Sequence, residues 1–321
     1  MDRVGNCEMK YKRFAYLFVG LGVIVVIWKL SVLESSVSNL KTLPQALDLH
    51  KDQLELTQRQ LMIFEQIHKK TNYFRNYPVI YAVTPTYWRH VQKAELTRIS
   101  QTLQLVPNVH WIVVEDSDFK TDLVRNLLTE SDLIYTHLNA KTPPFEKLKD
   151  KDPRWKRHRG VEQRNTALKW LRENLKLGKD KGVVYFMDDD NTYNVRVFQE
   201  MNKIKTVGVW PVGLVGGLNA ETPVLDKKTG KVMGYRSGWR PDRPFAIDMA
   251  GFAINLDLIL SRTDAVFSYK MEKGYQESEF LSYFTTKEQL EPLADNCTKV
   301  YVWHTRTEKP VVNGIVPGLE V

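Results

Sequence analysis

The segment at residues 182–193 constrains the fold of this chain more than any other part of the sequence. It contains an uninterrupted run of Val, Val, Tyr and Phe, which is typical of a strand covered on both faces in a parallel α/β sheet. The run stops on three adjacent carboxylates, Asp188, Asp189 and Asp190. Ligands bind beyond the carboxyl ends of such strands, and three carboxylates repel one another, so we predict a site for Mg²⁺ or Mn²⁺ bridged to phosphate oxygens. The alternative is an acidic turn after an ordinary strand.

Strand-like and helix-like segments alternate in the chain before this strand. Strands are predicted at 79–85, 110–116 and 133–138, the first of them buried, and helices at 93–105 and 161–177. This alternation predicts an α/β fold with an open, mostly parallel sheet and helices on both faces. After Asn194, strand-like segments such as 207–212 alternate with loops rich in Gly, Pro and charge, which indicates an α+β region that packs on the first half.

The N-terminal region has the pattern of a membrane anchor. Residues 14–28 are largely apolar, the run can be extended to residue 33, and basic residues precede it. About 20 such residues span a bilayer, and basic flanks stay in the cytoplasm. We therefore predict a cytoplasmic tail at 1–13, an uncleaved transmembrane signal anchor at 14–33 and a lumenal remainder. A cleaved signal peptide is the alternative, because residues 36–38 weakly mimic a cleavage site. A short span favours a Golgi or endoplasmic reticulum membrane.

The other polar and charged features narrow the choice of partners. Residues 34–76 are predicted to form a stem, either helical with partial seven-residue Leu spacing or a solvated tether. The net charge of +8 favours an anionic ligand or surface, although a solvated basic surface would also explain it. The sequence has no nucleic-acid recognition motif, zinc spacing or concentrated basic run, so we expect no nucleic-acid partner.

The two cysteines, Cys7 and Cys297, would lie on opposite sides of the membrane under this topology, so they cannot pair within one chain. The sequence Asn296-Cys297-Thr298 is a glycosylation sequon. Glycosylation at Asn296 would fit the predicted lumenal exposure.

Two chemistries fit the carboxylate turn. Motifs for dinucleotides and ATP are absent, and we interpret the glycine-rich segment at 213–217 as a close-packing turn. In nucleotide-sugar glycosyl transfer, a metal held by the turn bridges a diphosphate, and a separate carboxylate deprotonates the acceptor. In phosphoryl hydrolysis of the haloacid-dehalogenase type, Asp188-x-Asp190-x-Thr192 would be the nucleophile motif. That motif should end the first strand of its domain, whereas at least three predicted strands precede it here, which favours the transferase.

A series of longer motifs carries a family resemblance. The segments lie at 83–87, 111–116, 159–165, 188–193, 210–218, 245–252, 274–281 and 302–310. In this order they resemble the β-1,3-glucuronosyltransferases of animals, glycosyltransferase family 43. The resemblance covers residues 78–310, and the predicted anchor and stem fit the type II topology of such enzymes.

The resemblance implies a glycosyltransferase A-type (Rossmann-like) domain, with a UDP-sugar-binding half at 77–194 and an acceptor-binding half with a C-terminal tail at 195–321. It implies UDP-glucuronate as donor, Mn²⁺ as cofactor with Asp190 as its ligand, and a homodimer. The implied donor-binding residues are Pro85, Thr86, Tyr87, Asp116, Arg159, Arg164, Asp188, Asp189, Asp190, His304, Thr305 and Arg306. Tyr87 would stack on uracil, and the arginines would surround diphosphate and glucuronate.

The resemblance also implies the catalytic and acceptor residues. Glu277 would be the general base of an inverting transfer, with Glu279 as the alternative. The acceptor sugar would be bound by Trp239, Arg243, Asp248 and Glu277. The tail after Pro310 departs from the family pattern, which leaves its contribution to acceptor binding open.

Family members divide between two galactose-terminated acceptors. Segments 160–164 and 212–216 look like the members that act on Galβ1-3Gal of the proteoglycan linkage region. Segments 245–248 and 274–277 look more like those that act on N-acetyllactosamine. We expect Galβ1-3Gal on a proteoglycan core protein to be preferred, with measurable transfer to lactosamine. A membrane-anchored lectin without turnover remains the non-enzymatic alternative.

Overall fold

The computed structural model describes residues 19–29, 48, 50–51, 53–58, 61, 77–148, 152, 156–314 and 318–319. Contacts divide the chain into two units, Met1–Tyr73 and Phe74–Val321. In the first unit, residues 19–29 are helical and mostly exposed. Within the described ranges, no helix is long and apolar enough to cross a membrane. The rest of the predicted anchor, the tail at 1–13 and most of the stem lie outside the described residues, so the anchor and stem stay predictions.

The second unit contains twelve described strands and seven described α-helical segments. The strands are β1 (Val79–Thr86), β2 (Val109–Glu115), β3 (Tyr135–Asn139), β4 (Gly182–Phe186), β5 (Thr192–Tyr193), β6 (Val207–Val209), β7 (Val212–Gly213), β8 (Ala220–Leu225), β9 (Val232–Arg236), β10 (Phe252–Asn255), β11 (Glu291–Pro292) and β12 (Val302–Trp303). The helices are α1 (Gln92–Leu103), α2 (Asp122–Glu130), α3 (Val161–Asn174), α4 (Val195–Met201), α5 (Leu256–Ser261), α6 (Gln276–Ser282) and α7 (Ala294–Cys297). The α/β class and all the elements predicted before residue 187 are confirmed.

A seven-stranded sheet organises this unit, in the order β11-β6-β10-β4-β1-β2-β3. The four strands from β4 to β3 run parallel, and β10 joins them antiparallel to β4. Side chains alternate along β1, so that Ile80 and Ala82 pack into one core while Tyr81 and Val83 pack into the other. Helices α1, α2 and α4 supply the first core and α3, α5 and α6 the second, so both faces are covered as predicted.

The second sheet has five strands, in the order β5-β12-β7-β8-β9. The prediction of one strand at 207–212 was wrong, because the segment divides between the two sheets. β6 pairs with β10, whereas β7 pairs with β8 and β12. At the break, the Trp210 indole donates to the Ala250 carbonyl (2.8 Å), and its ring packs fully buried beside Tyr185. The burial of Trp210 therefore turns the chain from one sheet to the other.

The sheet topology gathers the functional segments at one edge. The amide of Met187 donates to the Val83 carbonyl (2.9 Å), and the amide of Asp116 donates to the Thr86 carbonyl (2.7 Å). The loops that follow β4 and β2 are thus tied to β1 where all three strands end. This edge is where parallel α/β sheets bind ligands.

The sequon lies in an unusual turn. Ala294, Asp295, Asn296 and Cys297 all have positive φ, between 51° and 58°. Asn296 is exposed, while burial raises the pKa of the Cys297 thiol to about 12. Glycosylation of Asn296 stays a prediction, and Cys7 lies outside the described residues.

Gly182 tests the packing at the start of β4. A Cβ at this position would lie 2.5 Å from the Val79 carbonyl oxygen and 2.7 Å from the Tyr81 ring, so β1 and β4 would have to separate. We expect Gly182→Ala to lower the free energy of unfolding by about 1–3 kcal/mol in urea titrations, as overpacked cores do. Gly234→Ala in β9 is the matched control, because no atom lies within 4 Å of its added Cβ. Equal unfolding free energies for the two variants would contradict this account.

Candidate active site

The three carboxylates after β4 differ in their partners. Asp188 accepts from Arg164 Nη2 (2.7 Å). Asp189 is buried, accepts from Thr86 Oγ1 (2.7 Å) and pairs with Arg89 Nη2 (2.7 Å). No side chain of the described ranges forms an ion pair with the Asp190 carboxylate, and burial together with repulsion from Asp188 raises its pKa. Asp190 is therefore the carboxylate of this turn that still lacks a cation.

The chemistry of the turn fits a metal held partly by another molecule. Asp190 offers a hard oxygen ligand with no competing ion pair. Among the described side chains, however, no group of three or more His, Cys, Asp or Glu is arranged to hold a metal ion. A Mg²⁺ or Mn²⁺ at Asp190 would take its further ligands from phosphate oxygens or water, as these ions commonly do.

Backbone contacts fix the direction of the turn. The Asp190 carbonyl accepts from Arg98 Nη2 (3.0 Å) and from Thr305 Oγ1 (2.7 Å). The Tyr193 hydroxyl donates to the Asp188 carbonyl (2.8 Å). These contacts bring the predicted donor residue Thr305, more than one hundred positions later in the chain, directly onto the carboxylate turn.

A cavity of about 610 Å³ lies beside Thr305. Its wall consists of Leu214, Val215, Gly216, Gly217, His304, Thr305 and Arg306. The glycine-rich segment does pack closely, because a Cβ at Gly213 would collide with the Trp303 ring. That interpretation is confirmed, but the same segment also forms a wall of the cavity, which sequence analysis did not anticipate. Gly216 and Gly217 have φ of 60° and 78°, a conformation that favours glycine.

His304 and Asp248 form a polar pair at the cavity. His304 Nδ1 lies 3.4 Å from Asp248 Oδ2, and this contact raises the pKa of His304. Burial alone would raise the pKa of Asp248, but the interaction with His304 and the amide of Ala250 lower it below its ordinary value. Arg306 Nη2 lies 3.4 Å from His304 Nε2. The structure thus joins a predicted donor residue, His304, to a predicted acceptor residue, Asp248.

Glu277 is the carboxylate with the properties of a base near neutral pH. It lies in the first turn of α6, half-buried, and burial followed by repulsion from Asp248 raises its pKa to about 7. Arg243 and Arg164 act in the opposite direction. Glu279, two positions later, is exposed. This contrast favours Glu277 over Glu279 as the base.

An aromatic platform lies next to this helix. Trp239 is 41% exposed. Arg243 Cζ lies 4.7 Å from the centroid of its ring, and the centroid of the Tyr275 ring lies 6.1 Å from the same point. Gly274 has φ of 77°, and a Cβ there would collide with the Trp239 ring. The close approach lets Trp239 lie against the backbone that leads into α6, so the predicted acceptor residues Trp239, Arg243 and Glu277 share one region.

Tyr87, Pro85, Asp116 and Arg159 complete the predicted donor set. Tyr87 is 48% exposed just after β1, and half-buried Pro85 lies within that strand. Asp116 Oδ1 accepts from the Thr142 amide (2.7 Å) and lies 3.6 Å from Lys147 Nζ. Arg159 is exposed, and its carbonyl accepts from Arg164 Nη1 (2.8 Å). Their roles toward uracil and diphosphate stay predictions.

Comparison with known proteins decides the family. The family model of glycosyltransferase family 43 matches residues 99–308. The chain belongs to glycosyltransferase family 43. The resemblance identified from the sequence is thereby confirmed, and so is the prediction that the protein is a glycosyltransferase. Membership also removes the haloacid-dehalogenase alternative.

Three relatives illustrate the similarity. The galactosylgalactosylxylosylprotein 3-beta-glucuronosyltransferase I of Drosophila melanogaster is 57% identical over 236 residues, which cover 72% of this chain and 77% of that protein. The sqv-8 enzyme of the same name in Caenorhabditis elegans is 54% identical, covering 74% of this chain and 66% of that protein. Enzyme 3 of the same name in Homo sapiens is 52% identical, covering 73% and 72%.

Sequence analysis did not identify several residues of this family 43 site. Helix α1 was predicted from its apolar face, but three polar residues on its other side, spaced by three, also make contacts at the site. Gln92 donates to Thr86, Glu95 pairs with Arg89, and Arg98 donates to the Asp190 carbonyl. Their spacing by three indicates one helix face, and it could have been recognised in the sequence. Glu221 is buried and accepts from Ser237 Oγ (2.6 Å) and the Gly238 amide (2.9 Å), which holds the loop before Trp239. Nothing in the sequence around Glu221 indicated that contact.

The His304–Asp248 pair predicts a titration shift in this family 43 enzyme. Because Asp248 raises the pKa of His304 and burial lowers it, Asp248→Asn should lower the His304 pKa relative to wild type. An NMR titration of the imidazole resonances measures this shift. The pair stabilises the fold at pH below the His304 pKa and loses that contribution as pH rises through it. His110 is the internal control, since burial lowers its pKa without Asp248. An unchanged His304 pKa in the variant would refute the pairing.

Proposed function

We propose that this protein transfers glucuronate from UDP-glucuronate to the 3-hydroxyl of a terminal galactose, with inversion at the anomeric carbon. The observation that carries the proposal is Glu277, a half-buried carboxylate with a pKa raised to about 7, in a glycosyltransferase family 43 chain. A base of this strength is half ionised near neutral pH and can accept the proton of a sugar hydroxyl. The relatives are named 3-beta-glucuronosyltransferases, which supports glucuronate as the transferred sugar.

The donor would bind along the carboxyl edge of the large sheet. Arg164 supports this placement, because its Nη2 holds Asp188 while its buried Nε has no partner among the described residues. A buried guanidinium N–H without a partner suits an anionic ligand such as a diphosphate or a carboxylate. Arg306 and His304 on the cavity wall would add positive charge toward the same group.

Asp190 would hold the Mn²⁺ together with phosphate oxygens of the donor. When bound, the metal would neutralise charge that develops on the departing UDP. The positive charges of the Arg164 and Arg306 guanidinium groups would stabilise the same negative charge on the departing UDP. The carboxylates of Asp188 and Asp189, already paired with arginines, would contact the nucleotide and the donor sugar.

The transfer needs one base and one displacement. Glu277 would accept the proton from the 3-hydroxyl of galactose as that oxygen forms a bond to the anomeric carbon. The bond from this carbon to the UDP oxygen breaks on the opposite face, and its electron pair leaves with UDP. The configuration therefore inverts, and Glu277 later releases its proton to water. Trp239 and Arg243 would hold the acceptor ring, and Asp248 would stay ionised beside Glu277.

Two finer choices belong to this proposal. We place Galβ1-3Gal of the proteoglycan linkage tetrasaccharide as the preferred acceptor, because galactosylgalactosylxylosylprotein stands in the names of the relatives. N-acetyllactosamine on glycoproteins or glycolipids is the second candidate, supported by segments 245–248 and 274–277. The enzyme would act as a homodimer in the Golgi, held as a single-pass type II membrane protein by residues 14–33, with the catalytic unit in the lumen.

Competition between acceptors tests the proposal directly. With UDP-glucuronate and Mn²⁺, we expect transfer to Galβ1-3Gal with a kcat/KM at least about tenfold above that for N-acetyllactosamine, because a pocket built around hydroxyl groups discriminates strongly. Mass spectrometry and linkage analysis of the product measure this. A ratio that favours N-acetyllactosamine would leave glucuronyl transfer standing and reverse the acceptor assignment. No transfer of glucuronate to either sugar would refute the proposed function.

The metal assignment has its own control in the same assay. Chelation should abolish transfer, and added Mn²⁺ should restore it. Asp190→Ala should remove activity without unfolding the protein, because the change relieves repulsion with Asp188. Activity that survives both chelation and this substitution would exclude Asp190 as a metal ligand.

Glu277 predicts the pH dependence of the reaction. Since the base must be ionised, kcat/KM should fall about tenfold per pH unit below pH 7 and level off above it. Glu277→Gln should lower turnover by about 10²–10⁴-fold while UDP still binds. Because the raised pKa of Glu277 means that folding disfavours its ionised form, Glu277→Gln should also melt at a higher temperature than wild type at pH 8. A Glu279→Gln variant with the same loss would show that the base is misassigned.

A further inference from the structure

We infer that Arg89 is a positioning residue that links Tyr87 to Asp189 of the carboxylate turn. One guanidinium thereby orders both the ring on which uracil would stack and the carboxylates beside the proposed metal site. The inference rests on the proposed function, because it assigns Arg89 a role in binding the UDP donor. It concerns a residue outside the predicted donor set.

The guanidinium of Arg89 reaches both sides of the site at once. Its Nη2 lies 2.7 Å from Asp189 Oδ1 and also pairs with Glu95, and its Nη1 donates to the Tyr87 carbonyl (3.1 Å). Its Cζ lies 4.5 Å from the centroid of the Tyr87 ring. The side chain is 16% exposed, so these contacts are largely shielded from solvent. One planar cation thus touches the Tyr87 ring, the Tyr87 backbone and two carboxylates.

Neighbouring groups complete the arrangement around Asp189. Thr86 Oγ1 donates to Asp189 Oδ2 (2.7 Å), and Gln92 Nε2 donates to Thr86 Oγ1 (3.1 Å). Gln92 and Glu95 lie at the start of α1, so the first turn of this helix holds Thr86 and Arg89 in their contacts with Asp189. Both oxygens of Asp189 are therefore occupied, and its carboxylate is held in one orientation.

The shape of arginine matters more here than its charge. A flat guanidinium can stack on an aromatic ring while its edge donates to two carboxylates and a carbonyl. A lysine ammonium could pair with Asp189 or Glu95, but it could not cover the Tyr87 ring in the same geometry. With lysine we expect Tyr87, which is 48% exposed, to lose the support that holds its ring over the base site.

Uridine and UDP distinguish this role from a purely structural one. We expect Arg89→Lys to raise the Kd of both ligands by about 10- to 100-fold in calorimetric titrations, because hydrogen bonds to charged groups and ring support are lost together. Uridine is titrated without metal, so its binding reports the Tyr87 side alone. The double variant Tyr87→Leu/Arg89→Lys should bind uridine no more weakly than Tyr87→Leu, because Arg89 acts through the ring.

Arg172→Lys is the matched control. Arg172 donates to the carbonyls of Ile259, Arg262 and Ala265, which lie on α5 and the loop after it. Its loss should lower the melting temperature and leave the Kd of uridine and UDP within about twofold of wild type. If Arg89→Lys fails to fold, Arg89→Gln/Glu95→Gln preserves the net charge of the cluster and is titrated in its place, with the same expected rise in Kd.

The outcomes separate this inference from the proposed function. Wild-type protein that does not bind UDP refutes the proposed function. Wild-type binding together with an Arg89 variant within twofold of it overturns the inference and leaves the proposed function intact. Additive losses in the Tyr87→Leu/Arg89→Lys double variant also overturn it, because Arg89 would then act independently of the ring.

Discussion

Charge compensation at the end of β4 is the constraint on which the rest of the site depends. Three carboxylates in a row are partly removed from water, and buried charges require paired opposite charges. Arg164, in the first turn of α3, pairs with Asp188, and Arg89, just before α1, pairs with Asp189. The two helices that cover opposite faces of the sheet therefore meet the same turn. Asp190 forms no such ion pair among the described residues, and the metal that we propose there would supply the missing positive charge.

A second electrostatic arrangement gives two carboxylates, Asp248 and Glu277, pKa values shifted in opposite directions. Asp248 contacts His304 and accepts from the Ala250 amide, which keeps it ionised. Its negative charge and the burial of Glu277 together raise the pKa of Glu277. Environments that push the pKa values of two neighbouring carboxylates apart are the physical basis for proposing one of them as a base. His304 also lines the cavity, so the same side chain contacts Asp248 and forms part of the cavity wall.

Local sequence patterns were sufficient for most of the fold. The predicted strands and the two predicted helices before residue 187 follow from runs and periodicities within a few consecutive residues, and they agree with the structure, whereas α2 was not predicted. The pattern failed at 207–212, where the run continues through Trp210 but the chain changes sheets. The reason is tertiary: the Trp210 indole finds its acceptor at Ala250, forty positions away, and hydropathy alone cannot show that bond.

For the site, the sequence by itself determined the carboxylate turn, its place at the end of a buried strand, and, through ordered motifs, the family and most candidate residues. Only the tertiary structure decided which charges meet. It paired Arg89 with Asp189, 100 positions apart, and brought Thr305 onto the Asp190 carbonyl. It also placed Asp248 in contact with His304 and near enough to Glu277 to raise the pKa of that carboxyl. Residue type and spacing specify a group's chemistry, whereas burial and long-range partners set its ionisation. The sequence could not separate Glu277 from Glu279 as the proposed base, because their different burial is visible only in the folded chain.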